Sequence, residues 1–153
     1  MTEFIFYRLK DNWQSYLLLL LEKAYHNNQR VSVQCGSDFL RDSLDDYLWT
    51  WKEDSFLPHG VDIRDEGVFS ALQPILLTLS SDNANASTIR FFINTALINT
   101  EDIGYYKKLI FIVDNSDQES RRWGRENWIR LKNAGYELTV CHNDLGYWKK
   151  IVR

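Results

Sequence analysis

"LIFIVDNSDQESRRWGRENWIRLKNAGYELTVC", residues 109–141, decides the fold. It opens on the near-continuous apolar run LIFIVD (109–114), the pattern of a strand buried on both faces. SDQESRRWGRENWIRLKNAG (116–135) follows with helical spacing and ends on Gly135, placed as a C′ residue should be. YELTVC (136–141) then returns to β-rich residues. Strand, helix and strand in succession form a crossover unit, which joins parallel strands of a sheet that must be covered by helices.

The same alternation extends outward through the chain. EFIFYR (3–8), RVSVQC (30–35), PILLTL (74–79) and IRFFINTAL (89–97) read as strands, with Pro74 at a strand start where its missing N–H does least harm. Between them, DNWQSYLLLLLEKAYHNN (11–28) and DFLRDSLDDYLW (38–49) read as helices, and EDIGYYKK (101–108) as a short one. Asp11 or Asn12 is placed to cap the first, and the Gly36-Ser37-Asp38 turn the second, where Phe39, Leu40, Leu44 and Leu48 share helical spacing. The expectation is a three-layer α/β fold with a central, mostly parallel sheet and helices on both faces. Neither a repeat nor a linker interrupts it, so residues 1–153 read as a single domain, long enough to bury about two thirds of its unfolded surface.

Composition narrows the function classes. Hydrophobic residues at 44% and charged residues at 25% suit a folded globular chain, and the 14% aromatic share suits a binding protein as well as an aromatic-rich core. The apolar run Tyr16 to Leu21 is too short to span a bilayer, and the strand-like start leaves no room for a signal peptide, so a cytoplasmic protein is expected, with no membrane partner. Cys35 and Cys141 read as free thiols. The net charge of −3 is uneven: residues 1–120 hold 10 Lys and Arg against 18 Asp and Glu, a net of −8, whereas residues 121–153 hold 8 against 3, a net of +5. A basic end on an acidic chain fits a local site for one anionic ligand better than a general nucleic-acid surface.

Catalytic patterns are missing. His26, His59 and His142 lie too far apart for metal spacing and read as surface or structural histidines. Gly36 in CGSD (35–38) lacks the second glycine and the lysine of a phosphate loop. Asp114 stands where α/β enzymes hold a metal, but followed by Asn115-Ser116 it reads as a cap for the next helix. No metal and no cofactor are expected. A nucleotide-binding or metal-dependent enzyme using Gly36 and Asp114 remains one alternative, and direct binding of single-stranded DNA by the basic C-terminal region another.

The long helix carries the informative pattern. At 100° per residue, Trp123, Leu131 and Ala134 fall on one side and face the sheet. Arg121, Arg125, Trp128 and Lys132 fall within about 60° of one another on a different side. A core stripe would not tolerate three cations, and a solvated basic stripe needs no indole. Such a stripe suits an acidic peptide with an apolar anchor: the anchor packs by Trp128 and Arg125 forks a carboxylate. Arg130, Lys149, Lys150 and Arg153 can extend the field. A second oddity is LWTWKEDSFLPHG (48–60), a connecting segment rich in rigid apolar side chains. It reads either as an interface or as a lid that folds back on the sheet.

These residues resemble one family. LW (48–49) ahead of SFLPHG (55–60), then QPILLT (73–78), then LIFIVD and SRRWGRENWIRLKNAGYELT (120–139), are similar in order and content to the χ (chi) subunit of bacterial DNA polymerase III holoenzyme. The resemblance implies a Rossmann/P-loop-like α/β domain without a phosphate loop and without catalytic activity. It implies an adaptor that joins the clamp loader, through the psi subunit, to the acidic C-terminal tail of single-stranded DNA-binding protein, and that in some members also serves a repair helicase. Carried onto this chain, the tail site falls on Arg125, Trp128 and Lys132, with Arg121 added from the helical angle. The psi-binding face falls on Trp49, Phe56, Leu57 and Pro58. The chain departs from the family at Ile129, a position that is often basic.

Overall fold

The computed structural model of the chain describes residues 2–51, 57–62, 67–142 and 149–152, with residues 67–68 and 149–152 described by backbone alone. An eight-stranded sheet runs through it. Its strands are β1 (Glu3–Leu9), β2 (Val31–Cys35), β3 (Gly60–Val61), β4 (Ile75–Thr78), β5 (Ile89–Ile93), β6 (Lys108–Asp114), β7 (Leu138–His142) and β8 (Lys149–Val152). Their order is β3-β4-β2-β5-β6-β1-β7-β8. Every pairing is parallel except the last, where β8 runs antiparallel to β7. The helices are α1 (Trp13–His26), α2 (Asp38–Thr50), α3 (Gly67–Leu72) and α4 (Gln118–Asn133), with a 3₁₀ helix at Thr100–Tyr105.

Side-chain alternation along the strands builds two cores. On one face, Ile5, Leu9, Val31, Val33, Ile75, Ile110 and Ile112 pack under Leu17, Leu18 and Leu21 of α1 and Leu44 and Leu48 of α2. On the other, Phe4, Phe6, Phe92, Phe111 and Val113 pack under Trp123 and Leu131 of α4 and Ile103 of the 3₁₀ helix. This is the three-layer α/β fold that the alternating pattern predicts. The α4 face is uneven. Over β2 and β5 it presents Ser32, Gln34 and Arg90, all buried, and Arg90 donates to the Ser80 and Asp82 carbonyls of the loop above.

The caps read at Ser37 and Gly135 hold, whereas α4 is capped by Asp117 and not by Asp114, which lies one turn too early and bonds Ser116 instead. Ser37 accepts from the Leu40 amide at the start of α2, and Asp117 from the Ser120 amide at the start of α4. Asn12 precedes α1 in a left-handed conformation with no side-chain cap. Past the end of α4, Gly135 (φ 93°) allows its N–H to bond the Lys132 carbonyl and that of Tyr136 the Leu131 carbonyl, a Schellman closure.

Several expectations change. Ala134 caps α4 and is exposed, so the sheet-facing side is Ser120, Trp123, Gly124 and Leu131. Phe39 is 80% exposed, leaving Leu44 and Leu48 as the buried residues of α2. The IRFFINTAL strand stops at Ile93, because Asn94 and Thr95 take positive φ angles of 33° and 69° and turn the chain. YELTVC is followed by β8, and the acidic stretch Asp62 to Glu66 falls in sequence between two short elements, β3 and α3.

Candidate functional site

A cleft of about 340 Å³ lies between α4 and the sheet, and three of the four stripe residues line it. Phe6 and Arg8 of β1, Val113 of β6 with Asn115 after it, and Val140 and His142 of β7 form the floor. The α4 wall is Arg121, Gly124, Arg125 and Trp128. Strand register explains the floor: Arg8 lies beside Val113 on one side and His142 on the other, and Phe6 beside Phe111 and Val140. All therefore share one face of the sheet.

Gly124 sets how close α4 comes. A Cβ there would fall 2.6 Å from Val113 Cγ2, so only glycine allows this approach. Trp123 anchors the buried side, its indole N–H donating to the Ala96 carbonyl at 2.9 Å. Trp128 is half-buried, with its ring edge-on to Phe6 at 5.4 Å between centroids and 78° between planes. One side of the indole is thus fixed by the core while the other borders the cleft.

The charge of the cleft has one sign. Arg8, Arg121 and Arg125 bring three guanidinium groups and His142 an imidazole, and among the described residues no carboxylate lines it. Among the described residues, none of the three arginines forms an ion pair with a carboxylate. Arg121 Nη1 donates to the Asn115 carbonyl at 2.7 Å, and Arg8 Nη2 lies 3.5 Å from Asn115 Oδ1. An anion placed here meets several N–H donors and an apolar wall at once.

Lys132 is exposed on the same helix but does not line the cleft. Arg130 turns elsewhere and donates to the Ile98 carbonyl at 3.4 Å. The backbone of β8 pairs Lys149 with His142 and Lys150 with Cys141; Arg153 lies outside the described residues. The sequence reading missed Arg8 and His142. Arg8 belongs to the β1 run, where a single cation among apolar residues gives no local sign that the strand faces α4.

The aromatic segment divides. Trp49, at the end of α2, is 54% exposed and rests on the His59 ring at 4.7 Å. Leu57 is only 4% exposed and belongs to the core under α1 and α2, so its side chain serves packing rather than an outer face. Pro58 is half-buried, and Phe56 lies outside the described residues. His59 is buried, with Nδ1 donating to the Leu57 carbonyl at 2.8 Å and Nε2 placed 2.8 Å from Asp45 Oδ1. That ring fastens the segment to α2. The segment folds back at Leu57 and His59 and stays open at Trp49.

The positions an enzyme would use are otherwise engaged. A Cβ on Gly36 would fall 2.0 Å from the Asn94 carbonyl oxygen, so this glycine makes room for the chain's own backbone. Asp114 Oδ1 accepts from the Ser116 amide at 3.0 Å and its hydroxyl at 2.6 Å, holding the turn that leads into α4. Among the described residues no group of three His, Cys, Asp or Glu side chains is arranged to hold a metal, and no helix is long and apolar enough to cross a membrane.

The chain is 27% identical over 144 residues to the "Probable DNA polymerase III subunit chi" of Rickettsia prowazekii (strain Madrid E), a stretch covering 88% of this chain and 82% of that protein. The profile of the family described as "DNA polymerase III chi subunit, HolC" matches residues 1–139, which include α4 and all of the cleft except Val140 and His142. The chain belongs to the DNA polymerase III chi subunit family.

Proposed function

We propose that this accessory subunit of the replicative polymerase is a non-catalytic adaptor with two protein-binding surfaces on one domain. The cleft under α4 takes the acidic C-terminal tail of single-stranded DNA-binding protein, through Arg121, Arg125 and Trp128, with Lys132 adding to the field at the rim. The corner where α2 meets β3 takes the psi subunit of the clamp loader, through Trp49, Pro58 and Phe56.

The observation that carries the reading is the pairing in one cleft of three guanidinium groups and the open side of a half-buried indole, with no carboxylate among the described lining residues. A peptide ending in an apolar residue with a free carboxylate satisfies both halves. Burying an aromatic anchor contributes about 2–3 kcal/mol, and each charge-assisted hydrogen bond about 1.5–3 kcal/mol before the cost of ordering the peptide. DNA fits poorly, because the cleft is local and the chain as a whole carries −3.

Calorimetric titration with a peptide of the binding protein's last ten or so residues tests this. Arg125→Ala and Trp128→Ala should each weaken binding at least tenfold, and so should deletion of the peptide's terminal apolar residue. Unchanged affinity in both variants would refute the placement.

A further inference from the structure

We infer that Arg8 and Arg121, both held at Asn115, form a seat for two negative charges, and that Arg8 makes the cleft select a multiply charged chain end over a singly charged one. This rests on the reading of the cleft as a site for an acidic peptide end.

The cleft is graded along its length. The helix α4 connects two parallel strands and so runs back against them, which places Arg121 near the carboxyl ends of the strands and Trp128 nearly two turns deeper. On the floor, Phe6 lies under Trp128, and Arg8 is one pleat further toward the same carboxyl ends. One end of the cleft is thus indole, phenyl and Val140, and the other is two guanidinium groups and His142. Arg125 stands one turn from Arg121 on the way to Trp128.

Asn115 organises the cationic end. Its carbonyl takes one N–H of Arg121 at 2.7 Å, and its side-chain oxygen lies 3.5 Å from Arg8 Nη2. Each guanidinium has five N–H groups, so most stay available to a ligand. Two cations brought to one residue, with no carboxylate among the described residues of the lining, repel each other, and an anion with two charges relieves that repulsion more than one with a single charge. Ile129, next to Trp128 and 49% exposed, adds no charge from the helix, so the floor supplies the extra cation through Arg8.

The test uses two ten-residue peptides with the same terminal aromatic and free carboxylate, one with Asp and one with Asn at the positions preceding it. Affinities are measured over a range of salt for the wild type, Arg8→Leu, Arg8→Lys and Arg125→Ala, all checked for equal thermal midpoints. Arg8→Leu should weaken the Asp peptide about tenfold, leave the Asn peptide within about twofold, and flatten the salt dependence of the Asp peptide. Arg8→Lys should keep the salt dependence and lose part of the affinity, because a point charge replaces a fork. The assignment is overturned if Arg8→Leu binds both peptides like the wild type while Arg125→Ala loses them, or if it weakens both equally, which would make Arg8 a packing residue. Failure of the wild type to bind either peptide would remove the underlying reading along with this one.

Discussion

Arg90 is the residue on which the unevenly covered sheet face depends. It is 1% exposed, and its guanidinium donates to Gln34 Oε1 at 2.8 Å, the Ser80 carbonyl at 3.0 Å and the Asp82 carbonyl at 2.6 Å. It also lies 5.3 Å from the centre of the Tyr106 ring. Burial lowers its pKa, and the nearby Tyr106 opposes that shift. Where a helix would cover β2 and β5, one side chain instead ties down an irregular loop. Arg90→Met removes the donor to the buried Gln34 Oε1 and to two part-buried carbonyls and should cost about 2–4 kcal/mol, read as a lower urea midpoint at unchanged slope, with peptide binding intact. Cys35 gives a pH signature. Burial raises its thiol pKa to about 12 from 9.0, so folding favours the neutral thiol. That stability is complete below pH 9 and is lost as pH rises toward 12; Cys35→Ser should show less of this alkaline loss than the wild type in thermal scans. Neither role was legible beforehand. Arg90 sits within an apolar strand run, and only the sheet register reveals that its face lacks a helix.

At the scale of elements, the distance between α4 and β6 fixes the width of the cleft. Gly124→Ala drives a methyl group into Val113 and should destabilise by about 1–3 kcal/mol while weakening the tail peptide. Adding Val113→Ala should restore part of both, giving a favourable coupling in a double-mutant cycle; strictly additive effects would mean that α4 is not held by this contact. The elements legible in the sequence are the long ones. The helix α4 carries a glycine stop at Gly135 and two separable stripes, although its cap is Asp117 and not the Asp114 read from the sequence, and β6 is an unbroken apolar run. Two-residue β3, six-residue α3 and antiparallel β8 gave no comparable signal, because so few residues cannot express a period. Phe39 and Leu57 show the limit of counting apolar positions. The helical period puts Phe39 at an edge that solvent wins, while the Asp45–His59–Leu57 bonds pull an apparently open segment inward.

For the molecule as a whole, the two proposed surfaces lie on opposite faces of one sheet. The α2–β3 corner belongs to the face covered by α1 and α2 and borders the β3 edge, whereas the α4 cleft lies over β6, β1 and β7 toward the other edge. With no shared residue between them, the tail peptide should bind equally well with or without psi, within about twofold by calorimetry. A larger change would mean that the sheet couples the sites. The charge division that first marked the last 33 residues, +5 against −8 for the rest, proved an incomplete guide, because Arg8 reaches the same cleft from the other end of the chain. The most direct measurement is nitrogen–proton correlation NMR of the labelled protein during titration with the acidic tail peptide. The Trp128 indole signal and the amides of residues 8, 115, 121 and 125 should shift together along one saturating curve, while those of Trp49 and His59 stay in place. Shifts confined to the α2–β3 corner, or none at the Trp128 indole at saturation, would contradict a chain-end site under α4.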